Sequence, residues 1–245
     1  MAFMRIVTLI QARMGSTRLP GKALIDLAGM PVLDRVVRRC QSAKTTSAVV
    51  IATTTEPDDD RIAQSAARLE VPVFRGSRDD VLDRFVSAAK EHSADYVIRV
   101  TADCPLIDPE WIDACVNTAT AGGVDYVAND GEGFVRGFDV EAVTRTALET
   151  AWRDAREDFE RVHVTPYLYR HPEQFAVSHL GWPGAPSQCR LTLDTKEDLH
   201  LLEGVFQHFH GSNSIGWRDA VRLLERNPDL AAINKDVSQK SLEEG

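Results

Sequence analysis

The sequence predicts an α/β fold, a Rossmann-like, mixed but mostly parallel sheet flanked by helices, with a small inserted β-rich excursion. Three observations predict it. Short apolar, β-branched runs at 6–12, 49–51 and 96–100 read as buried parallel strands, because a strand covered on both faces needs no polar alternation. Stretches with apolar residues at helical spacing separate them, giving the order β-α-β-α-β. From about residue 125 the text changes to short strands around turn-forming residues, which reads as an insertion or subdomain.

The first run ends in a Gly/Ser/Pro-containing basic loop, the opening of a βα unit, and a helix follows over about 32–40. Val49, Val50 and Ile51 form the next strand; Thr53, Thr54 and Thr55 then lead to Pro57, whose fixed φ suits a first helical turn. Asp58, Asp59 and Asp60 fall at that helix start and read as complements to its dipole rather than as metal ligands. Leu82, Phe85, Val86 and Ala89 mark another helix, and Asp108 before Pro109 is an N-cap and first-turn pair for a helix running to about 116.

The excursion, about 125–180, holds the turn-like Asp130-Gly131-Glu132-Gly133 and a helix near 145–153. Residues 174–180 and 190–193 supply further strands, leaving the sheet mixed at one edge, and Leu199, Leu202, Phe206 and Phe209 mark a late helix. Trp152, Trp182 and Trp217 show no spacing that demands ligand stacking. One domain over 1–233 is expected, and the polar run 234–245 reads either as a loosely held tail or as a segment packed on a partner subunit.

Composition narrows the function. With 245 residues, 43% of them hydrophobic, the chain can bury a large core without metals or disulfides. A net charge of -9 argues against a general nucleic-acid binder, which needs a basic face to neutralise phosphates. Cys40, Cys104, Cys115 and Cys189 form no C-x-x-C pair and read as reduced thiols of a cytoplasmic protein. The apolar run 6–10 is too short for a signal-peptide core or membrane span and meets Gln11 and Arg13 at once, so no membrane association is expected.

The loop Gln11-Ala12-Arg13-Met14-Gly15-Ser16-Thr17-Arg18-Leu19-Pro20-Gly21-Lys22 gathers three cations among small residues whose amides can approach a phosphate. It stands at the carboxyl end of the first strand, where open α/β sheets bind ligands. It is not a P-loop: its glycines are one residue too far apart, and Ala23 stands where a magnesium-binding hydroxyl would follow the lysine. Asp103, after the strand at 96–100, and Asp194, after 190–193, are separated carboxylates that a sheet can bring to one edge, where they could share a magnesium ion completed by water and phosphate oxygens. Asp103 alone also reads as a loop cap, and Asp194 alone as an N-cap before Lys196.

The basic loop resembles the nucleotide-binding signature of the cytidylyltransferases similar to spore-coat polysaccharide biosynthesis protein F, a family related to CMP-KDO synthetase and acylneuraminate cytidylyltransferase. The similarity continues through Val50-Ile51-Ala52-Thr53-Thr54, Phe74-Arg75-Gly76-Ser77, Asp79-Asp80-Val81-Leu82-Asp83-Arg84 and Asp103-Cys104-Pro105-Leu106-Ile107-Asp108. It departs at Ala102, where the family usually has glycine. The resemblance implies a sheet of the nucleotide-diphospho-sugar transferase type. It also implies that Arg13, Arg18 and Lys22 contact phosphates beside Gly15 and Ser16, with Gln11 and Ala12 near the base and Thr53 and Arg75 in the nucleotide set. CTP as the nucleotide, Asp103 and Asp194 as magnesium ligands, and a homodimer follow from the same resemblance.

For the acceptor, Arg136-Gly137-Phe138-Asp139-Val140-Glu141 offers a cation and two acids that could read a carboxylate and hydroxyls, or forms a hairpin with solvated charges. Glu160-Arg161-Val162-His163-Val164-Thr165-Pro166-Tyr167 resembles the family's Glu-His-Val-Thr-Pro-Tyr segment, which makes His163 and Tyr167 acceptor-site candidates, although a lone histidine such as His163 is more often a structural hydrogen bonder. The expected reaction is transfer of CMP from CTP to a sugar acid or similar small acidic acceptor. The rival readings are a nucleotide-sugar glycosyltransferase and a noncatalytic nucleotide-binding module.

Overall fold

The computed structural model describes residues 4–131, 133–181 and 189–239; Glu132 of the predicted turn, Trp182 and the end of the polar tail lie outside the described residues. In chain order the strands are β1 (Ile6–Gln11), β2 (Asp26–Leu27), β3 (Met30–Pro31), β4 (Ala48–Thr54), β5 (Val73–Gly76), β6 (Tyr96–Thr101), β7 (Tyr126–Ala128), β8 (Glu141–Thr144) and β9 (Val177–His179). The helices are α1 (Val32–Gln41), α2 (Asp60–Arg68), α3 (Val81–Glu91), α4 (Pro109–Thr120), α5 (Arg145–Asp154), α6 (Asp158–His163), α7 (Pro166–Arg170), α8 (Lys196–His208), α9 (Trp217–Arg226) and α10 (Pro228–Ala231).

Seven strands form one sheet in the order β5-β4-β1-β6-β8-β7-β9, and β2 with β3 makes a small separate ribbon. The strands β5, β4, β1 and β6 run parallel; β8 pairs antiparallel with both β6 and β7, and β9 runs parallel to β7. The expected mixed edge is therefore β8, β7 and β9. The excursion's strands complete the main sheet rather than standing apart from it.

Alternation along β1 shows why the sheet has two cores. Ile6 and Ile10 face one apolar cluster with α1, α4, α8 and α9, whereas Val7 and Leu9 face another with α3 and α5. The sheet is thus covered on both faces, which is what unbroken apolar strands require. Helix α4 starts as the Asp108-Pro109 pair predicts, with the Asp108 carboxylate accepting the Glu110 amide at 2.9 Å. No described helix is long and apolar enough to cross a membrane.

Residues 190–193 correct one expectation. They form no strand of the sheet beyond an isolated bridge between Arg190 and Arg136. The Leu191 and Leu193 amides instead donate to the carbonyls of Arg136 (2.7 Å) and Asp103 (2.8 Å), so apolar alternation here serves a run lying across the carboxyl edge of the sheet.

Candidate active site

From β1 successive strands step outward to β4 and β5, whereas β6 lies on β1's other side. Loops leaving β1 and β6 therefore diverge and open a crevice at their carboxyl ends, with Gln11 paired in register with Thr101. The basic loop rises from this point. Met14, Leu19 and Ala23 are buried and anchor it, while Arg13, Gly15, Ser16 and Arg18 are left outside the core. The Gly21 and Ser16 amides both donate to the Met14 carbonyl, at 3.0 and 2.9 Å, folding the loop back on itself.

Asp58, Asp59 and Asp60 stand in first helical turns as predicted, and Asp59 has a second part. It is buried; its carboxylate accepts the Met14 amide at 2.6 Å and the Thr54 hydroxyl, tying the end of β4 to the loop. Asp60 pairs with Arg75 at 2.5 Å.

The two separated aspartates meet. Lys22 Nζ lies 2.6 Å from Asp103 Oδ2 and 2.7 Å from Asp194 Oδ1. The other Asp194 oxygen receives Arg18 Nη2 at 3.0 Å and Arg190 Nη2. Burial works to raise the pKa of Asp103, but the Lys22 charge and its hydrogen bond prevail and hold it at about 2. Burial likewise works to lower the pKa of Lys22, and the two carboxylates leave it raised above the usual lysine value.

Two carboxylate oxygens converging on one ammonium nitrogen make a position fit for a hard cation. Among the described residues no group of three or more His, Cys, Asp or Glu side chains could hold a metal, so ligand oxygens would complete the shell of a shared ion.

Asp194 is set in place by groups the sequence reading did not find. Asp198 is wholly buried and accepts the Asp194 and Thr195 amides at 2.9 and 3.0 Å, together with Arg190 Nε at 3.1 Å and Asn234 Nδ2 at 2.8 Å. Thr195 and Asp198 form the capping box of α8, so Thr195 rather than Asp194 is its N-cap. A Thr-x-x-Asp pattern before an apolar run was the available signal.

Around the pair opens a cavity of about 720 Å³. The basic loop, including Gln11, Ala12, Arg13, Gly15, Ser16, Arg18 and Lys22, lines it together with Asp103 and Asp194, and Arg136, Asp139, Glu141 and His163 are among its other lining residues.

Three predicted residues lie elsewhere. Thr53 is wholly buried within β4. Arg75 turns back on its own neighbourhood, donating to the Thr54 carbonyl at 2.9 Å and the Glu56 carbonyl at 3.0 Å. Tyr167 stacks on His171 at 4.0 Å, and Tyr169 lines the cavity instead, since residues two apart on a helix do not share a face.

Arg99 was also missed, although a lone charge inside the apolar run of β6 marks it. It pairs across the antiparallel register with Glu141, and its Nε and Nη2 donate to Gln11 Oε1 at 3.3 and 3.1 Å. Glu141 Oε1 also accepts the hydroxyls of Tyr126 and Thr165, each at 2.5 Å.

Comparison with known proteins bears on what this cavity does. A family model described as cytidylyltransferase matches residues 7–214. The chain is 38% identical over 243 residues to an uncharacterized protein of Methanocaldococcus jannaschii, covering 98% of this chain and 99% of that one. It is 38% identical over 235 residues to the spore coat polysaccharide biosynthesis protein SpsF of Bacillus subtilis, covering 92% and 96%. A solved cytidylyltransferase structure from Leptospira borgpetersenii superposes with a TM-score of 0.90 at 33% identity, covering 98% of this chain and 100% of that one.

Proposed function

The chain belongs to the cytidylyltransferase family, and from that premise we propose that it joins CMP from CTP to a sugar acid or similar small acidic acceptor, releasing pyrophosphate. The observation that carries this reading is the meeting of Lys22, Asp103 and Asp194 at the junction between the cationic loop and the rest of the cavity. Transfer to the α-phosphorus needs charge neutralisation at that kind of boundary, between a triphosphate and an attacking oxygen.

Arg13 and Arg18, with the backbone around Gly15 and Ser16, take the phosphates, and Ala12 lies near the base. Asp103 and Asp194 would hold a magnesium ion, which would supply positive charge against the phosphates. Lys22 shares that cation position and guides the triphosphate into it. An acceptor hydroxyl then gives its proton to water as its oxygen bonds the α-phosphorus and the bond to the pyrophosphate oxygen breaks. Arg136, Asp139, Glu141 and His163 shape the acceptor side. The name of the Bacillus subtilis relative supports a place in surface polysaccharide biosynthesis.

The test is magnesium-dependent pyrophosphate release from CTP, ATP, GTP and UTP against a panel of acidic sugars. CTP-specific, acceptor-dependent release is expected; tight CTP binding without release under any acceptor would overturn catalysis. We also propose a homodimer, and light scattering that finds a monomer at assay concentration would remove it.

A further inference from the structure

A count of donors along the edge between β1 and β6 singles out Arg99 and Gln11. Arg99 carries five N–H bonds and no acceptor. The described structure engages Nε once, toward Gln11, Nη1 once, toward Glu141, and Nη2 once, toward Gln11. Two N–H bonds of Arg99 remain, and the residue lines the cavity.

The same count fixes the orientation of Gln11. A guanidinium can only donate, so the amide group of Gln11 must turn its oxygen to Arg99 and its two N–H bonds elsewhere. Gln11 also lines the cavity, and its nitrogen has no partner among the described residues.

The negative partner beside them is largely engaged already. Glu141 receives Arg99 on one oxygen and the hydroxyls of Tyr126 and Thr165 on the other, so it holds the guanidinium in place and has little capacity left for an acceptor's hydroxyls. Apart from the hydroxyl oxygens of Tyr126 and Thr165, this stretch of wall therefore presents mainly donors. Such an edge complements a group that only accepts, and two coplanar oxygens on one carbon match it best.

We propose that Arg99 and Gln11 form the subsite for the acceptor's carboxylate, with Glu141, Tyr126 and Thr165 as positioning residues behind Arg99. The assignment moves Gln11 from the base to the acceptor and rests on the reading of the acceptor as an acid. Arg99 binds the carboxylate and Gln11 closes it from the side of β1. The carboxylate stays unreacted, held apart from the oxygen that attacks phosphorus.

Binding without turnover separates this subsite from the reaction itself. Calorimetric titration into the full chain with CTP in the absence of divalent metal would use 3-deoxy-manno-octulosonate, N-acetylneuraminate and the methyl ester of each. The wild type is expected to bind at least one acid tenfold or more tightly than its ester. Arg99→Gln should abolish that difference and leave CTP affinity within twofold. Because loss of Arg99 also leaves Glu141 without its cation, Gln11→Met provides a second measurement that keeps the ion pair: it should weaken the acid at least threefold and leave the ester unchanged. Equal binding of every acid and its ester by the wild type overturns the subsite, as does a variant that weakens CTP instead, which would assign the edge to the pyrimidine carbonyl. Absence of pyrophosphate release in the panel assay would sink the transferase reading while acid-over-ester binding still judged the subsite.

Discussion

Lys22 closes the gap between two carboxylates that lie 91 positions apart in the chain, at Asp103 and Asp194, and the proposed reaction depends on those two side chains staying ionised. Replacing either by asparagine keeps the size but removes the charge and turns one acceptor oxygen into a donor. Asp103→Asn and Asp194→Asn should each retain the fold by circular dichroism and lose about a hundredfold or more of magnesium-dependent turnover. Wild-type turnover in either would remove that residue from the proposed metal site.

The pH behaviour follows from the same contact. The folded pKa of Asp103 is depressed to about 2, so the stability it contributes is present above the ordinary carboxylate range and is lost as pH falls from that range through about 2. From pH 5 to 8 its charge does not change, and any inflection in the pH–rate profile there belongs to another group. Lys22→Met removes the opposing charge and leaves the burial. Carboxyl-carbon NMR of metal-free protein should show the Asp103 midpoint at least about one unit higher in that variant; an unmoved midpoint would show that Lys22 is not what holds it down.

At the scale of elements, the run from Arg190 to Asp194 is the part most dependent on its neighbours. It approaches Gly137 so closely that a Cβ added there would meet the Leu191 carbonyl carbon at 2.4 Å, and Gly137 has φ +111°. Both the contact and the backbone require glycine. Gly137→Ala is expected to cost about 2 kcal/mol or more in denaturant unfolding and to lower kcat by displacing Asp194, because neither the clash nor the strain can relax alone. A loss below about 0.5 kcal/mol would mean that the run is not held where the contact implies.

The contrast with β1, β4 and β6 explains what was legible. Those strands are buried on both faces, so their apolar runs announce them without help from the rest of the chain, and the loop after β1 carries its cations in one continuous stretch. Residues 190–193 alternate as a strand would but take their backbone partners from Arg136 and Asp103, two loops that no local pattern identifies. Tyr169 rather than Tyr167 reaches the cavity because a short helix, α7, sets their directions, and a motif match fixes only order along the chain.

The whole molecule has a net charge of -9, yet it concentrates Arg13, Arg18, Lys22, Arg99 and Arg136 around a single cavity, so its acidic total says nothing against binding one triphosphate. That cavity is assembled from stretches spread over nearly the full chain, and its last contributor is the polar C-terminal run. Asn234 is buried and donates to the Arg190 carbonyl at 3.0 Å and to Asp198 at 2.8 Å, while Gln239 lines the cavity and accepts from Arg190 Nη1. Composition alone suggested a loose tail or a partner contact, since a segment with few apolar residues carries no periodicity to show that its polar groups are spent inside the fold. Removing residues 234–245 would leave a buried carboxylate and a buried carbonyl each short of a donor. The truncated chain should therefore lose about 1–3 kcal/mol of stability in denaturant unfolding and turn over CTP more slowly. Gln239→Ala, by contrast, removes only the outermost contact, and should keep the denaturant midpoint while loosening Arg190 against Asp194, seen as a fall in kcat at unchanged CTP affinity. Should the truncated chain match the full one in both stability and kcat, the polar run would be a passenger and the anchoring of Asp194 would end at α8.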